Sequence, residues 1–447
     1  MTAASFLRRL LGKMRPGVNH HTQHLVSLCE TLLGERGEVS GAVLARDALA
    51  VYRLLDERGR EEFFNILASE FAPSPEAIGK AADAYRDDPT PENLVRLQEL
   101  VDSARQELFR RLNMAPGGTQ TLVAMRGELL RGLKKHPHWR AIDADLLHLF
   151  RSWFNRGFLR LERIDWRTPA IVLEKLIQYE AVHAVQGWRD LRRRLEDDRR
   201  CFAFFHPQLR DEPLIFIEVA LTRGISAQVQ PLLDVNSPVA AAEQADCAIF
   251  YSITNCQEGL RGTSFGNLLI KQVAEDLKRE FPHLRSFATL SPIPGFRRWL
   301  DGTEARVRLS MGPNAEQRLA LLAAADQPGW HTGEVPEPLQ KLLLRLCAWY
   351  LLHAKRGAEP LDPVARFHLG NGAALEHLNW LGDTSESGMA RSAGMMVNYV
   401  YRLDDVERNH ERYFSEHAVV ASRAVEKLAR KSPLAAAAAT PDKRAEA

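Results

Sequence analysis

The chain has 447 residues, with 59 lysine or arginine and 57 aspartate or glutamate residues, so its formal net charge is only +2. A chain of this length is expected to form two or three domains rather than one compact core. The balanced charge gives no support for a nucleic-acid partner, so any function that depends on charge must be local. No apolar run approaches the roughly 20 residues needed to cross a bilayer, and we expect no membrane partner.

The five cysteines limit the chemistry further. Cys29, Cys201, Cys247, Cys256 and Cys347 lack the short paired spacings that a zinc site or a redox dithiol requires. We therefore expect reduced thiols in a cytosol-like compartment and no bound metal.

The segment before Cys29 is basic. It contains Arg8, Arg9, Lys13 and Arg15 and no acidic residue. This composition is typical of a basic first helix or of a mitochondrial presequence, and we favour the helix.

Residues 22–155 show a helical pattern. Apolar residues recur three and four positions apart, for example within 94–104. The tripeptides at 74–76 (Ser-Pro-Glu) and 90–92 (Thr-Pro-Glu) combine a capping hydroxyl, a first-turn proline and an acid, which indicates the start of a helix. We predict an all-helical first domain over residues 1–155.

Signals typical of strands appear only after this region. The runs 201–205, 214–221 and 247–253 are short and rich in apolar, β-branched or aromatic residues. A helical run at 265–281 follows, and further strands are predicted at 286–290 and 396–403, with a helix at 338–353 between them. The pattern predicts an α+β domain over 156–431. Residues 432–447 are alanine-rich, and we expect a disordered tail.

A glycine-rich stretch at 257–267 links a predicted strand to a predicted helix. Its glycines allow close approach of the backbone to a ligand, and the free N–H groups of the following helix favour a phosphate. The spacing matches neither the P-loop nor the dinucleotide-binding fingerprint, so a tight connection with no ligand is an equal alternative.

Three further stretches contain candidate catalytic residues. Ser291 lies in Leu-Ser-Pro-Ile-Pro-Gly-Phe, where two prolines hold the backbone extended and would place its hydroxyl rigidly; the alternative is a turn-capping serine. His368 lies between apolar residues before a glycine, a setting that keeps an imidazole neutral, although a lone histidine is more often structural. Tyr401 could be an acid or a buried aromatic.

Taken together, several segments resemble malonyl-CoA decarboxylase. They are Tyr-Ser-Ile-Thr at 251–254, Gly-Thr-Ser-Phe-Gly at 262–266, Phe-Pro-His-Leu at 281–284, Leu-Ser-Pro-Ile-Pro-Gly-Phe at 290–296, Phe-His-Leu-Gly-Asn-Gly-Ala at 367–373 and Asn-Tyr-Val-Tyr at 398–401. Their order and spacing also agree with that family, and the resemblance covers about 161–401.

The resemblance implies a helical oligomerisation domain, a catalytic domain of GNAT acetyltransferase fold, and a homotetramer that uses no cofactor. By position, Ser291 matches the family's catalytic serine and His368 its catalytic histidine, while Tyr401 and Ser252 match further active-site positions. The residues that match the loop holding the pyrophosphate of coenzyme A are Arg261, Gly262, Thr263, Ser264, Phe265, Gly266 and Asn267, with Ile270 one turn along the helix.

Two departures from the family pattern matter. Animal members have glutamate at the position of Ser264, so no acidic role is transferred to this residue. Animal members also end in a peroxisomal signal, which is not found here, and we therefore expect a cytoplasmic enzyme of the bacterial type. An acyl-CoA-dependent acyltransferase and a non-catalytic acyl-CoA sensor are the alternatives, because fold alone cannot separate them from a decarboxylase.

Overall fold

A computed structural model describes residues 18–263 and 269–438. The chain divides into two compact units. The first comprises residues 1–160 with 204–214 and 255–265, and the second comprises 161–203, 215–254 and 266–447. The first unit therefore includes two segments that follow the predicted domain boundary at 155. The predicted basic helix falls largely on residues 1–17, which lie outside the described residues.

The described part of the first unit is mainly helical. Its helices are α1 (His20–Gly34), α2 (Glu38–Leu54), α3 (Glu57–Ser69), α4 (Pro75–Asp87), α5 (Pro91–Val101), α6 (Ala104–Asn113), α7 (Gly118–Gly132) and α8 (Arg140–Trp153). The two predicted helix starts are confirmed: Ser74 Oγ accepts the N–H of Ala77 at 3.3 Å, and Thr90 Oγ1 accepts the N–H of Asn93 at 3.4 Å. Each hydroxyl satisfies one of the backbone donors that a first turn leaves free.

The second unit mixes helices with a sheet. Its strands are β1 (Arg160–Ile164), β2 (Arg199–Phe205), β3 (Ile215–Thr222), β4 (Cys247–Asn255), β5 (Ser286–Thr289), β6 (Ser291–Pro292), β7 (Lys355–Arg356), β8 (Glu359–Pro360), β9 (Ala374–Asn379) and β10 (Met396–Val400). Residue 160 of β1, residues 204–205 of β2 and residue 255 of β4 are assigned to the first unit. Its helices are α9 (Ala170–Tyr179), α10 (Trp188–Arg194), α11 (Gln230–Leu233), α12 (Leu269–Glu280), α13 (Phe296–Leu300), α14 (Thr303–Leu309), α15 (Ala315–Ala324), α16 (Glu337–His353), α17 (Pro363–Gly370), α18 (Glu386–Ser392), α19 (Val406–Glu416), α20 (Arg423–Arg430) and α21 (Pro433–Ala438).

The main sheet is mixed. Its strands lie in the order β1-β2-β3-β4-β5-β10-β6, and β9 also pairs with β10. Strands β4 and β5 are parallel, whereas β10 is antiparallel to β5, β6 and β9. Cys247, Ile249 and Tyr251 alternate along β4 and point into one hydrophobic core, which places the residues between them on the opposite face. The predicted α+β class, with a helical region followed by a mixed sheet, is confirmed.

The end of the chain differs from the prediction. The expected disordered tail was to begin at residue 432, but Pro433–Ala438 forms helix α21. Leu434 is only 1% exposed, and α21 packs against α16. Burial of this one apolar side chain offsets the weak intrinsic tendency of so short a segment to order. The prediction is therefore wrong for residues 432–438, and residues 439–447 lie outside the described part.

Candidate active site

Ser291 lies where the chain passes from strand β5 to strand β6 of the main sheet. Strand β5 ends at Thr289, and Ser291 begins β6, where it pairs with Val397 of β10. The fixed φ of the two following prolines keeps this backbone extended. The serine side chain is buried, with 5% exposure.

His368 projects from α17 toward this serine. The helix begins after Asp362, whose Oδ1 accepts the backbone N–H groups of Val364 and Ala365 at 2.9 Å. Nε2 of His368 lies 3.0 Å from Ser291 Oγ, and Nδ1 lies 2.8 Å from the hydroxyl of Tyr401. The structure thus brings together three of the four predicted catalytic residues, which we call the Ser-His-Tyr trio.

Burial determines the ionisation of the trio. It lowers the pKa of His368 to about 3 and raises the pKa of Tyr401 well above its usual value. At neutral pH the imidazole and the phenol are therefore both uncharged. A neutral imidazole has one N–H donor and one acceptor nitrogen, so His368 donates on one side and accepts on the other.

Aromatic rings enclose the imidazole. The ring of Tyr399 stacks on His368 with centroids 4.6 Å apart and planes 25° apart, and Phe367 contacts it edge-on at 5.1 Å. Phe250 of β4 lies 6.4 Å from the Tyr401 ring. His368 is 3% exposed, and the contacts with Tyr399 and Phe367 restrict the orientation of its ring.

Ser252, the fourth predicted catalytic residue, contacts a different group. It alternates with Phe250 on β4 and therefore faces the same side of the sheet as the trio. Its hydroxyl donates to Glu180 Oε2 at 2.7 Å and lies 3.4 Å from Thr254 Oγ1. The hydrogen bonds of the described residues do not join Ser252 to the trio.

Glu180 was not predicted from the sequence. It follows α9 and is buried, and its Oε1 accepts the backbone N–H groups of Val182 and His183 at 2.7 and 2.8 Å. These bonds fix the carboxylate so that Oε2 faces Ser252. The pairing spans 72 residues, and no local pattern marks this glutamate among the many others.

Part of the predicted coenzyme A loop is described. Arg261, Gly262 and Thr263 belong to the first unit, whereas Ser264, Phe265, Gly266 and Asn267 lie outside the described residues. Ile270 is buried on α12 in the second unit. Gly262 has φ of +80°, a backbone conformation that favours glycine.

Arg126 anchors the start of this loop. It is 2% exposed, and its Nη1 donates to the carbonyls of Gly259 and Arg261 at 2.7 and 2.8 Å. Its Nε donates to Asp143 at 2.8 Å. Gly259 must be glycine, because a Cβ there would lie 1.8 Å from the carbonyl oxygen of Val123. Sequence reasoning missed Arg126, which lies 135 positions from the carbonyl of Arg261.

The described residues contain neither a candidate metal site nor a candidate membrane span. Within 18–263 and 269–438, no group of three or more His, Cys, Asp or Glu side chains is placed to hold a metal ion. In the same described ranges, no helix is long and apolar enough to cross a membrane.

Comparison with known proteins decides the family. The model of the malonyl-CoA decarboxylase C-terminal domain matches residues 157–439, and the model of the N-terminal domain matches 71–154. The chain belongs to the malonyl-CoA decarboxylase family. The family predicted from the sequence segments is therefore confirmed.

Individual malonyl-CoA decarboxylases agree with this assignment. The mitochondrial malonyl-CoA decarboxylase of Anser anser anser is 40% identical over 356 residues, which cover 74% of this chain and 70% of that protein. The enzyme of Rattus norvegicus is 37% identical, with 74% and 72% covered. The crystal structure of malonyl-CoA decarboxylase from Rhodopseudomonas palustris gives a TM-score of 0.85 at 49% identity, covering 91% of this chain and 99% of that chain.

Proposed function

We propose that this chain is a carboxy-lyase that converts malonyl-CoA to acetyl-CoA and carbon dioxide. Membership of the malonyl-CoA decarboxylase family supports the reaction. The observation that carries the mechanism is the buried contact of His368 with both Ser291 and Tyr401. An enzyme that only transfers acyl groups from coenzyme A does not require this arrangement.

The reaction determines what the site must supply. When the bond to the carboxylate breaks, carbon dioxide leaves and the electron pair remains on the thioester as an enolate. One proton must then be added to carbon. The site therefore has to stabilise negative charge on the carbonyl oxygen and provide an acid next to the carbon.

The trio is suited to the second of these requirements. In our proposal the carboxylate lies beside Ser291, which orients the imidazole of His368, and His368 protonates the carbon after carbon dioxide leaves. The pKa of His368 is lowered to about 3, so the ring is a neutral N–H donor at physiological pH rather than a cation. The apolar surroundings disfavour the carboxylate relative to neutral carbon dioxide, which also promotes the reaction.

The remaining predicted residues are assigned to binding. We propose that backbone N–H groups near Ser252 stabilise the carbonyl oxygen and that residues 261–267, with Ile270, bind coenzyme A. The positive φ of Gly262 and the hydrogen bonds from Arg126 to the carbonyls of Gly259 and Arg261 support a defined backbone at the start of this segment. A homotetramer in the cytoplasm, with the mitochondrial matrix as the alternative, remains our proposal for the assembly and its location.

The direct test is to incubate the purified protein with malonyl-CoA, without added metal, nucleotide or acyl acceptor. Acetyl-CoA and carbon dioxide are measured together. Equal formation of both products is expected. Free coenzyme A thiol that appears only when an amine or alcohol acceptor is added would indicate an acyltransferase instead. Binding of malonyl-CoA without any product would indicate a sensor.

A further inference from the structure

We propose that Thr289 is a positioning residue that fixes the direction of the hydrogen bonds through Ser291, His368 and Tyr401. Thr289 is the last residue of β5, two positions before the serine, and it is fully buried. The inference rests on the proposed decarboxylation, because it concerns the acid that this reaction needs.

The hydroxyl of Thr289 accepts two hydrogen bonds. Ser291 Oγ donates to Thr289 Oγ1 at 2.8 Å, and the backbone N–H of Tyr399 donates to the same oxygen at 3.1 Å. The backbone carbonyl of Thr289 is also held, since it accepts Nδ2 of Asn398 at 2.7 Å. Strand β10 therefore fixes the threonine from both its side chain and its main chain.

This geometry determines which of Ser291 and His368 donates the hydrogen bond between them. A serine hydroxyl has one hydrogen, and in Ser291 that hydrogen points to Thr289. The 3.0 Å contact between Ser291 Oγ and His368 Nε2 must then use a hydrogen on Nε2. A neutral imidazole protonated on Nε2 has a bare Nδ1, which accepts the hydroxyl of Tyr401.

The direction of these hydrogen bonds determines which nitrogen of the imidazole carries its proton. The hydrogens run from Tyr401 to Nδ1, from Nε2 to Ser291, and from Ser291 to Thr289. The imidazole therefore carries its proton on the side of the serine, where the enolate carbon must receive one. The carbon gains this proton, and one solvent proton restores the imidazole in each turnover, so the single proton consumed by the reaction is accounted for. Without the acceptor at Thr289, the serine hydroxyl would turn to Nε2 and the opposite tautomer would form.

The test compares Thr289→Val with Thr289→Ser. Valine keeps the branched shape and removes the acceptor, whereas serine keeps a hydroxyl. Imidazole nitrogens of histidine-labelled protein are observed by NMR, and the signals of His368 are identified by their loss in His368→Asn. We expect Nε2 protonation in the wild type and in Thr289→Ser, and Nδ1 protonation in Thr289→Val. We also expect kcat of Thr289→Val to fall about 10- to 100-fold with KM nearly unchanged.

The outcomes separate the two proposals. A folded Thr289→Val protein with an unchanged tautomer and wild-type kcat overturns the role of Thr289. A Thr289→Ser variant as slow as Thr289→Val does so too, because the defect would then follow shape rather than the hydroxyl. If Thr289→Val does not fold, Thr289→Ala serves as the acceptor-free variant. A tautomer that changes as expected in a protein that never consumes malonyl-CoA supports the positioning role and overturns the proposed function instead.

Discussion

The imidazole of His368 has two hydrogen-bond partners and a stacked aromatic ring, so it is held in one orientation. Replacing it with asparagine keeps a polar side chain but removes the imidazole that we propose as the proton donor. We expect His368→Asn to abolish turnover of malonyl-CoA while the affinity for coenzyme A, measured by calorimetry, stays nearly unchanged. Unchanged turnover would remove His368 from the mechanism.

The lowered pKa of His368 also predicts a pH-dependent stability. The folded protein holds this imidazole neutral down to about pH 3, whereas in the unfolded chain it binds a proton below about pH 6.5. The unfolded state therefore binds more protons as the pH falls through this window, and stability is lost. Between pH 7.5 and pH 5, His368 should lower the free energy of unfolding by about 2 kcal/mol.

The same variant isolates this contribution. Urea unfolding of the wild type and of His368→Asn is measured at both pH values. The wild type should lose about 2 kcal/mol more than the variant, because all other titrating groups are shared. Equal losses in the two proteins would show that the imidazole is not held neutral in the folded state.

Glu180 is expected to act through Ser252. In Glu180→Gln the amide oxygen can still accept the two backbone N–H groups, which leaves the NH2 group facing the serine. The hydroxyl of Ser252 then accepts a hydrogen bond from this NH2 group, and its own hydrogen no longer points to residue 180. We expect kcat/KM to fall about 10-fold. In a double-mutant cycle, Glu180→Gln should add little to the loss caused by Ser252→Ala, whereas fully additive losses would show that Glu180 acts independently.

The residues of the site differ in how readily the sequence alone identifies them. Ser291, His368 and Tyr401 lie in segments that resemble the family, so each could be named before the fold was known. Glu180 and Thr289 lie in ordinary surroundings, and their roles depend on which side chain the fold places opposite them. Sequence spacing predicts contacts within a helix or a strand, but not a hydrogen bond that spans 72 residues.

At the scale of elements, the described start of the predicted coenzyme A loop, residues 261–263, contains one left-handed backbone conformation. Gly262 has φ of +80°, which costs a residue with a side chain about 1 kcal/mol or more. A side chain at position 262 would not clash sterically, because its Cβ would be 4.0 Å from its nearest neighbour, on Leu147. We expect Gly262→Ala to raise KM for malonyl-CoA several-fold, with a smaller effect on kcat.

A matched control is available in the same unit. Gly79 lies inside α4, has no positive φ, and its Cβ would meet no atom within 4 Å. Gly79→Ala should therefore leave KM unchanged and favour the helix slightly. If both variants raise KM equally, the effect does not come from the loop.

Elements were predictable where the local signal was strong. The capped helices α4 and α5 and the apolar strands β2, β3 and β4 could be placed from propensity and pattern. The two-residue strands and helix α21 could not, because so few residues carry no periodicity. These short elements form only because the surrounding fold supplies partners, as it does for Leu434.

At the scale of the whole molecule, helix α5 has no buried residue although its sequence is amphipathic. Leu94 and Val101 are seven positions apart, share one side of the helix, and are 37% and 51% exposed. Exposed apolar side chains arranged in this way are typical of a surface that a partner covers. In the tetramer that we propose, we expect this side of α5 to contact another copy of the chain.

Introducing carboxylates on this side of α5 tests the proposed contact between subunits. Four copies of the 50.4 kDa chain give a mass of about 200 kDa, which sedimentation should report for the wild type. The double variant Leu94→Glu/Val101→Glu adds two negative charges to the surface and should sediment as a smaller species, since an apolar contact cannot bury unpaired carboxylates. Arg96→Glu changes the net charge by the same two units at another position of α5, and it should remain a tetramer. Dissociation of both variants would attribute the effect to charge alone, and a tetramer in both would move the interface away from α5.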